Sequence, residues 1–221
     1  APRRVENFVD LSHFAWVHAG SLGKRDEPVP PLPSITKEEG ELRFTYDPPE
    51  FDPDSSAMYG FSRYRMPMPC SVNIEFQLET GARRVLWMTA SPLDSSHCRT
   101  FWVLARSDDI DGSDEPHLAF QRQVLEEDEP VVCNQVPGEF PMNHGEELSV
   151  HTDLVSNTYR RWLRELAHLY KTHGASGVSA QLAKGAESVA RIEDASDALS
   201  QSSSHDASTA SSAMTAISSG E

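Results

Sequence analysis

The chain has 221 residues, enough for one domain with a sizeable core plus extensions. Asp and Glu outnumber Lys and Arg by 34 to 19, a formal charge of -15, so nothing attracts nucleic acid or an anionic membrane, and neither is expected as a partner. No apolar run approaches the roughly 18 residues of a membrane span, and the N-terminus lacks a signal-like segment. Cys70, Cys98 and Cys133 form no C-x2-C pair, which argues against a disulfide framework and for a reducing, cytoplasmic compartment. The chain opens on Ala1 and reads as a fragment or processed product.

Val5 to His18, VENFVDLSHFAWVH, is the densest chemistry in the chain. Asn7, Asp10, His13 and His18 lie between bulky apolar residues, and a carboxylate in such a setting is costly to bury unless paired or bound. Imidazole is a favoured ligand for iron, zinc, copper and nickel, and two histidines with one carboxylate leave coordination positions open. On an ideal helix His13 and His18 point about 140° apart, so they converge only if the helix ends or bulges between them. Gly20 and Gly23 predict a stop near His18, while Asn7, Asp10 and His13, at steps of three, predict one slanting helical stripe. H-x4-H also describes two unrelated histidines that happen to be close.

The pattern N-x2-D-x2-H-x4-H, inside ENFVDLSHFAWVHAGSLG, resembles the iron-binding segment of Rieske non-haem iron aromatic oxygenases, in particular the vanillate O-demethylase branch. The resemblance implies that His13 and His18 bind mononuclear iron(II). It further implies that Asp10 bridges electron transfer from the Rieske cluster of a neighbouring subunit, and that Asn7 lies beside the metal.

Residues 19 to 37, rich in Gly and Pro, predict a long ordered loop. Strands follow: Leu42, Phe44 and Tyr46 alternate with polar residues, and Cys70, Val72, Ile74, Phe76 and Leu78 do so again. Residues 57–66, 83–90 and 99–106 add further strands, the last two split by a turn at Pro92 to Ser96. Hairpin-linked strands predict an antiparallel sheet in an α+β fold.

A helix is predicted from about Pro116 to Gln135, capped by Asp114. Leu118, Phe120, Val124, Leu125, Val131 and Val132 share its apolar arc, and Asp128 falls in the middle of that arc. A carboxylate there needs a partner, either an arginine or a metal. The segment VLEEDEPVVCNQ resembles the place where the family carries its ligating aspartate, which implies Asp128 as third ligand with Glu127 as fallback. Asp153 opens the next helix and reads as a cap. That helix, about Asp153 to Lys171, carries Tyr159, Trp162, Leu163, Leu166 and Tyr170 as a core stripe. Residues 172–221 are low in large apolar residues and read as a mostly disordered tail with a transient helix over 176–194.

Neither C-x-H nor C-x2-H occurs, so the 2Fe-2S Rieske cluster is expected on a missing domain or another chain. The resemblance covers residues 3 to 171 and implies a helix-grip fold, an antiparallel sheet wrapped around a long helix. It implies activation of dioxygen to hydroxylate or O-demethylate an aromatic substrate, a reductase or ferredoxin as electron donor, and a homotrimer at full length. Trp87, Trp102 and Phe120 are candidate pocket walls, with Phe61, Met66 and Met68, and His97 or Arg106 could anchor a substrate carboxylate. Three rivals stand beside this reading: a ring cis-dihydroxylating dioxygenase, a metal-free hydrophobic-ligand module, and a zinc hydrolase. The last is disfavoured because neither H-E-x-x-H nor H-x-x-E-H occurs.

Overall fold

A computed structural model describes residues 1–26, 28–30, 32–38, 40–46, 62–78, 80–143, 145–203 and 215–219. Helices α1 (Pro2–Val9) and α2 (Phe14–Val17) precede six strands, β1 (Ser34–Glu38), β2 (Glu41–Tyr46), β3 (Ser62–Met68), β4 (Ser71–Gln77), β5 (Arg83–Pro92) and β6 (Cys98–Arg106). Helix α3 (Glu115–Cys133), a 3-10 turn (His151–Asp153), helix α4 (Leu154–Ser203) and strand β7 (Thr215–Ser219) complete the order. Each strand pairs antiparallel with its sequence neighbour, giving a seven-stranded meander. The fold is α+β, an antiparallel sheet with a long C-terminal helix against it, as the alternating strand pattern predicted.

Period-two alternation sends Leu42, Phe44, Tyr64, Met66, Val72, Ile74, Phe76, Leu86, Met88, Trp102 and Leu104 to one buried face. Val5, Phe8 and Val9 of α1 and Val155, Tyr159, Trp162 and Leu166 of α4 close over it. Tyr159 also donates its hydroxyl to the Pro69 carbonyl at 2.7 Å, satisfying a polar group that burial would otherwise strand.

Several local expectations are revised. Strand β1 falls where a loop was expected, because SITKE is an edge strand with one partner and almost no buried side chain, so it carries no alternation to read. Of the predicted strand 57–66, residues 57–61, with Phe61, lie outside the described residues. Tyr170 and Val131 keep helical register with their apolar neighbours but are 60% and 41% exposed. Asp114 stands at the N-cap of α3 without capping it; its carboxylate accepts a bond from Arg106 at 3.0 Å. Arg106, fully buried, also donates to the carbonyls of Asp108 and Asp109, so it ties down the β6–α3 loop and is not a substrate anchor. Asp153 caps from a different position than expected: it ends the 3-10 turn, and its carboxylate reaches back to accept the Val150 N–H at 2.8 Å. The last helix runs on past Lys171 to Ser203, broken at Gly174, whose φ of 66° and ψ of -165° interrupt the helical path.

Candidate metal centre

Helix α1 ends where Asp10 turns extended (φ -81°, ψ 120°). Its carboxylate accepts the Ser12 N–H at 2.8 Å, a side-chain turn that competes with helical continuation. The predicted continuous stripe of Asn7, Asp10 and His13 is therefore interrupted, and a new single turn, α2, starts after it. His13 stands at the entrance of that turn and His18 at its exit. His18 departs from helical geometry (φ -107°, ψ 33°), and the imidazole centroids lie 5.0 Å apart with planes at 68°. The chain then folds back, with Ser21, Leu22 and Gly23 donating N–H groups to the His18 carbonyl. A Cβ at Gly23 would stand 2.4 Å from the Phe14 carbonyl carbon, so only glycine permits this close return against α2.

Asp128 comes from α3, 4% exposed as its place on the arc predicted. Its Oδ1 lies 3.3 Å from His13 Nε2 and 3.0 Å from His18 Nε2. Asn7 donates Nδ2–H to the same oxygen at 3.0 Å, and the Arg4 guanidinium stands 3.7 Å from Oδ2. The two alternatives for a buried carboxylate thus divide between its oxygens, arginine on one side and imidazoles on the other. One donor atom from each of His13, His18 and Asp128 lies within 4.8 Å of the others.

The imidazoles are held from behind. His13 Nδ1 faces Asp10 Oδ2 at 3.3 Å, and His18 Nδ1 faces Glu127 Oε2 at 2.7 Å. Glu127 is thus a partner of His18 and not a third ligand. Both Nε2 atoms are buried and make no hydrogen bond of acceptable geometry, despite their closeness to Asp128. Two orphaned imidazole nitrogens converging on one carboxylate oxygen form a donor set that fits a divalent transition metal such as iron(II), with room for further ligands.

Burial by itself pushes the His13 imidazolium down, but the Asp10 and Asp128 carboxylates beside it outweigh that and raise it from 6.5 to about 9. Burial likewise opposes ionisation of Asp128, yet the two imidazoles and Asn7 hold its carboxyl well below the usual range. In the metal-free protein His13 is therefore charged at neutral pH. Because its pKa is raised on folding, its contribution to stability is complete below pH 6.5 and is lost as pH rises through about 9. Metal must displace that proton, so metal affinity should rise about tenfold per pH unit between pH 7 and 8. Titration calorimetry in buffers of different ionisation enthalpy should report about one proton released per metal; no release would contradict the assignment of His13.

The cluster opens on a cavity lined mainly by Phe8, Phe14, Tyr64, Ile74, Phe76, Leu86, Met88, Phe120, Val124 and Leu125. Of the substrate-contacting candidates, Phe120 lies in this wall. Trp102 is buried on the core face but is not among the lining residues. Trp87 alternates with buried Leu86 and Met88 and so faces away from the cavity. His97 sits on the exposed β5–β6 turn beside Asp94, 73% exposed, far from an anchoring role. Met66 belongs to the core and Met68 is half exposed.

Three residues of the site escaped the sequence reading. Arg4 did, because arginine is ordinarily assigned to solvent. Glu127 did in its actual role, because one of four consecutive acids gives no hint of a distant imidazole. Gln121 is the third: it is 4% exposed, lines the cavity, and its side chain makes no hydrogen bond among the described residues. Its signal was available, since it stands two turns before Asp128 on the same helical face.

A family model of the vanillate O-demethylase oxygenase C-terminal domain matches residues 2–169. Methylxanthine N3-demethylase NdmB of Pseudomonas putida is 43% identical over 171 residues, 76% of this chain and 47% of that protein. Methylxanthine N1-demethylase NdmA of the same species is 38% identical over 191 residues, 85% of this chain and 53% of that one. The solved structure of Pseudomonas putida CBB5 NdmA with caffeine superposes with a TM-score of 0.72 at 36% identity, covering 81% of this chain and 52% of its own. The chain spans about half the length of the relatives it matches. A match over residues 2–169, agreeing with the sheet and with the relatives, means that the chain belongs to the vanillate O-demethylase oxygenase C-terminal family, the catalytic part of Rieske-type oxygenases.

Proposed function

We propose that residues 1–171 form the catalytic domain of a Rieske-type oxygenase that removes a methyl group from nitrogen or oxygen of an aromatic substrate, while 172–221, expected as a disordered tail, prolong α4 to Ser203 and add strand β7 beside β6. The observation that carries this is the buried trio of His13, His18 and Asp128, with both Nε2 atoms unpartnered, opening on an apolar cavity. Bound there, iron(II) supplies the activation of dioxygen that hydroxylates a substrate methyl group, which then departs as formaldehyde. His13, His18 and Asp128 hold the metal and leave coordination positions free. Asn7 and Arg4 fix the Asp128 carboxylate, while the aromatic and aliphatic walls exclude water and orient the ring. Asp10, whose side chain is 30% exposed behind His13, would bridge the metal ligand to a Rieske cluster supplied by a neighbouring subunit, the electron passing through the hydrogen-bonded contact to the metal.

The cavity chemistry favours a neutral methylated heteroaromatic over a benzoate. Its lining includes no Lys or Arg among the described residues, so a substrate carboxylate would be desolvated without a counter-charge. Gln121 offers one donor and one acceptor, suited to a ring carbonyl or ring N–H. The two relatives named for methylxanthine demethylation agree with that chemistry. A passive ligand-binding module has no use for three carboxylates and an arginine around two imidazoles. No helix among the described residues is long and apolar enough to cross a membrane. The working protein is a cytoplasmic homotrimer that takes electrons from a reductase or ferredoxin.

The test supplies iron, dioxygen, a methylated heteroaromatic and either a reductase alone or a reductase with a Rieske donor. The chain should be silent with the reductase alone and should release one formaldehyde per methyl lost once the donor is added. A ring diol without formaldehyde would instead assign it to the dihydroxylating branch.

A further inference from the structure

Consecutive residues of α3 address opposite nitrogens of one imidazole. Asp128 Oδ1 stands 3.0 Å from His18 Nε2, and Glu127 Oε2 stands 2.7 Å from His18 Nδ1. His18 is the most enclosed member of the cluster, 1% exposed, and its Nδ1 contact to Glu127 is shorter than that of His13 to Asp10 at 3.3 Å. Glu127 is itself fixed: Gln123, one turn earlier, donates Nε2–H to Glu127 Oε1 at 2.8 Å. The result is a directed chain in which Gln123 donates to one oxygen of Glu127 and His18 donates to the other.

From this geometry we infer that Glu127 is a positioning residue that tunes the metal through His18. This rests on the metal centre proposed above and goes beyond it. A carboxylate accepting Nδ1–H leaves the Nε2 lone pair as the only free one on the ring, so the metal-binding tautomer is selected before metal arrives. It also makes the imidazole a stronger electron donor, as a carboxylate behind a ligating histidine does. With both imidazoles neutral, Asp10, Glu127 and Asp128 against Arg4 leave two net negative charges around the site. A divalent ion cancels them. Removing the Glu127 charge leaves one, which disfavours the trivalent state more than the divalent one. Because Glu127 is 30% exposed, its substitution disturbs no core packing.

The experiment titrates the metal-free chain with cobalt(II) as probe, then measures the midpoint potential of the iron-loaded chain. Glu127→Gln should weaken cobalt binding about 10- to 100-fold and shift the iron potential to more positive values, with the metal-free melting temperature unchanged. Gln123→Leu retains the charge and releases its orientation. It should weaken binding by a smaller factor and leave the potential in place. If the wild-type chain binds cobalt and Glu127→Gln binds it equally well with an unmoved potential, the inference fails while the metal centre stands. If the wild-type chain binds no metal, or His13→Ala binds it undiminished, the centre itself fails and takes the inference with it.

Discussion

Asp128→Ala should leave a folded protein that no longer holds iron. Protein produced with added iron should carry about one equivalent in the wild type and only background in the variant, by elemental analysis of the purified chain. The carboxylate is the sole anionic donor of the trio, and without it two imidazoles face the metal alone. The sheet does not depend on it, because the main apolar core lies between the sheet and helices α1 and α4, none of which carries residue 128. Arg4 loses its nearest carboxylate but keeps a bond to Asn7 Oδ1 at 3.2 Å and its stacking over Phe8 at 5.3 Å. A loss below the roughly 3–5 kcal/mol typical of breaking a buried ion pair is therefore expected, visible as a lowered melting temperature with an unchanged circular dichroism spectrum. Full iron occupancy in Asp128→Ala would remove the basis of the oxygenase assignment.

Asp10→Asn should do the opposite: iron stays and turnover goes. The amide oxygen still accepts the Ser12 N–H, so the turn before α2 is retained, while the amide nitrogen takes the place of the Oδ2 that faced His13 Nδ1, weakening the support behind His13 without removing any of the three metal-binding side chains. What disappears is the negative charge at the exposed edge of the site, where the proposed electron donor would make contact. With a Rieske donor present, formaldehyde release should fall about 100-fold at unchanged iron content, the upper end for groups bonded behind a metal ligand. The same substitution also removes one of two carboxylates that raise the His13 pKa, so the pH dependence of metal binding should move to lower pH. Wild-type turnover in this variant would assign the electron route elsewhere.

The two substitutions separate holding the metal from feeding it. That separation follows from the path of the chain: Asp128 arrives on α3 from more than a hundred residues away, whereas Asp10 sits three residues before the histidine it supports.

Local pattern was enough for much of the molecule. Strands β2 and β4 to β6 are legible because alternation with a period of two is a local consequence of burying one face of a sheet. The burial of Asp128 was legible for the analogous reason at 100° per residue, and the N-x2-D-x2-H-x4-H spacing marked the histidines. Where a residue's role depends on one partner at hand, as with Asp153 and the Val150 N–H, sequence suffices.

Roles decided by distant partners were not legible. Trp87 and Leu86 are equally apolar neighbours, and only the sheet's register turns one to the cavity and the other away. Arg106 looked available for a substrate until the β6–α3 loop wrapped its guanidinium. Glu127 stood as a fallback metal ligand until α3 docked beside α2 and brought its carboxylate to His18 Nδ1, on the side of the ring away from Asp128. The sequence by itself determined which surfaces are buried and which residue types could bind a metal, because those follow from spacing along one segment. Only the tertiary structure decided which nitrogen meets which oxygen, because hydrogen bonds act over about 3 Å and their partners here lie more than a hundred residues apart.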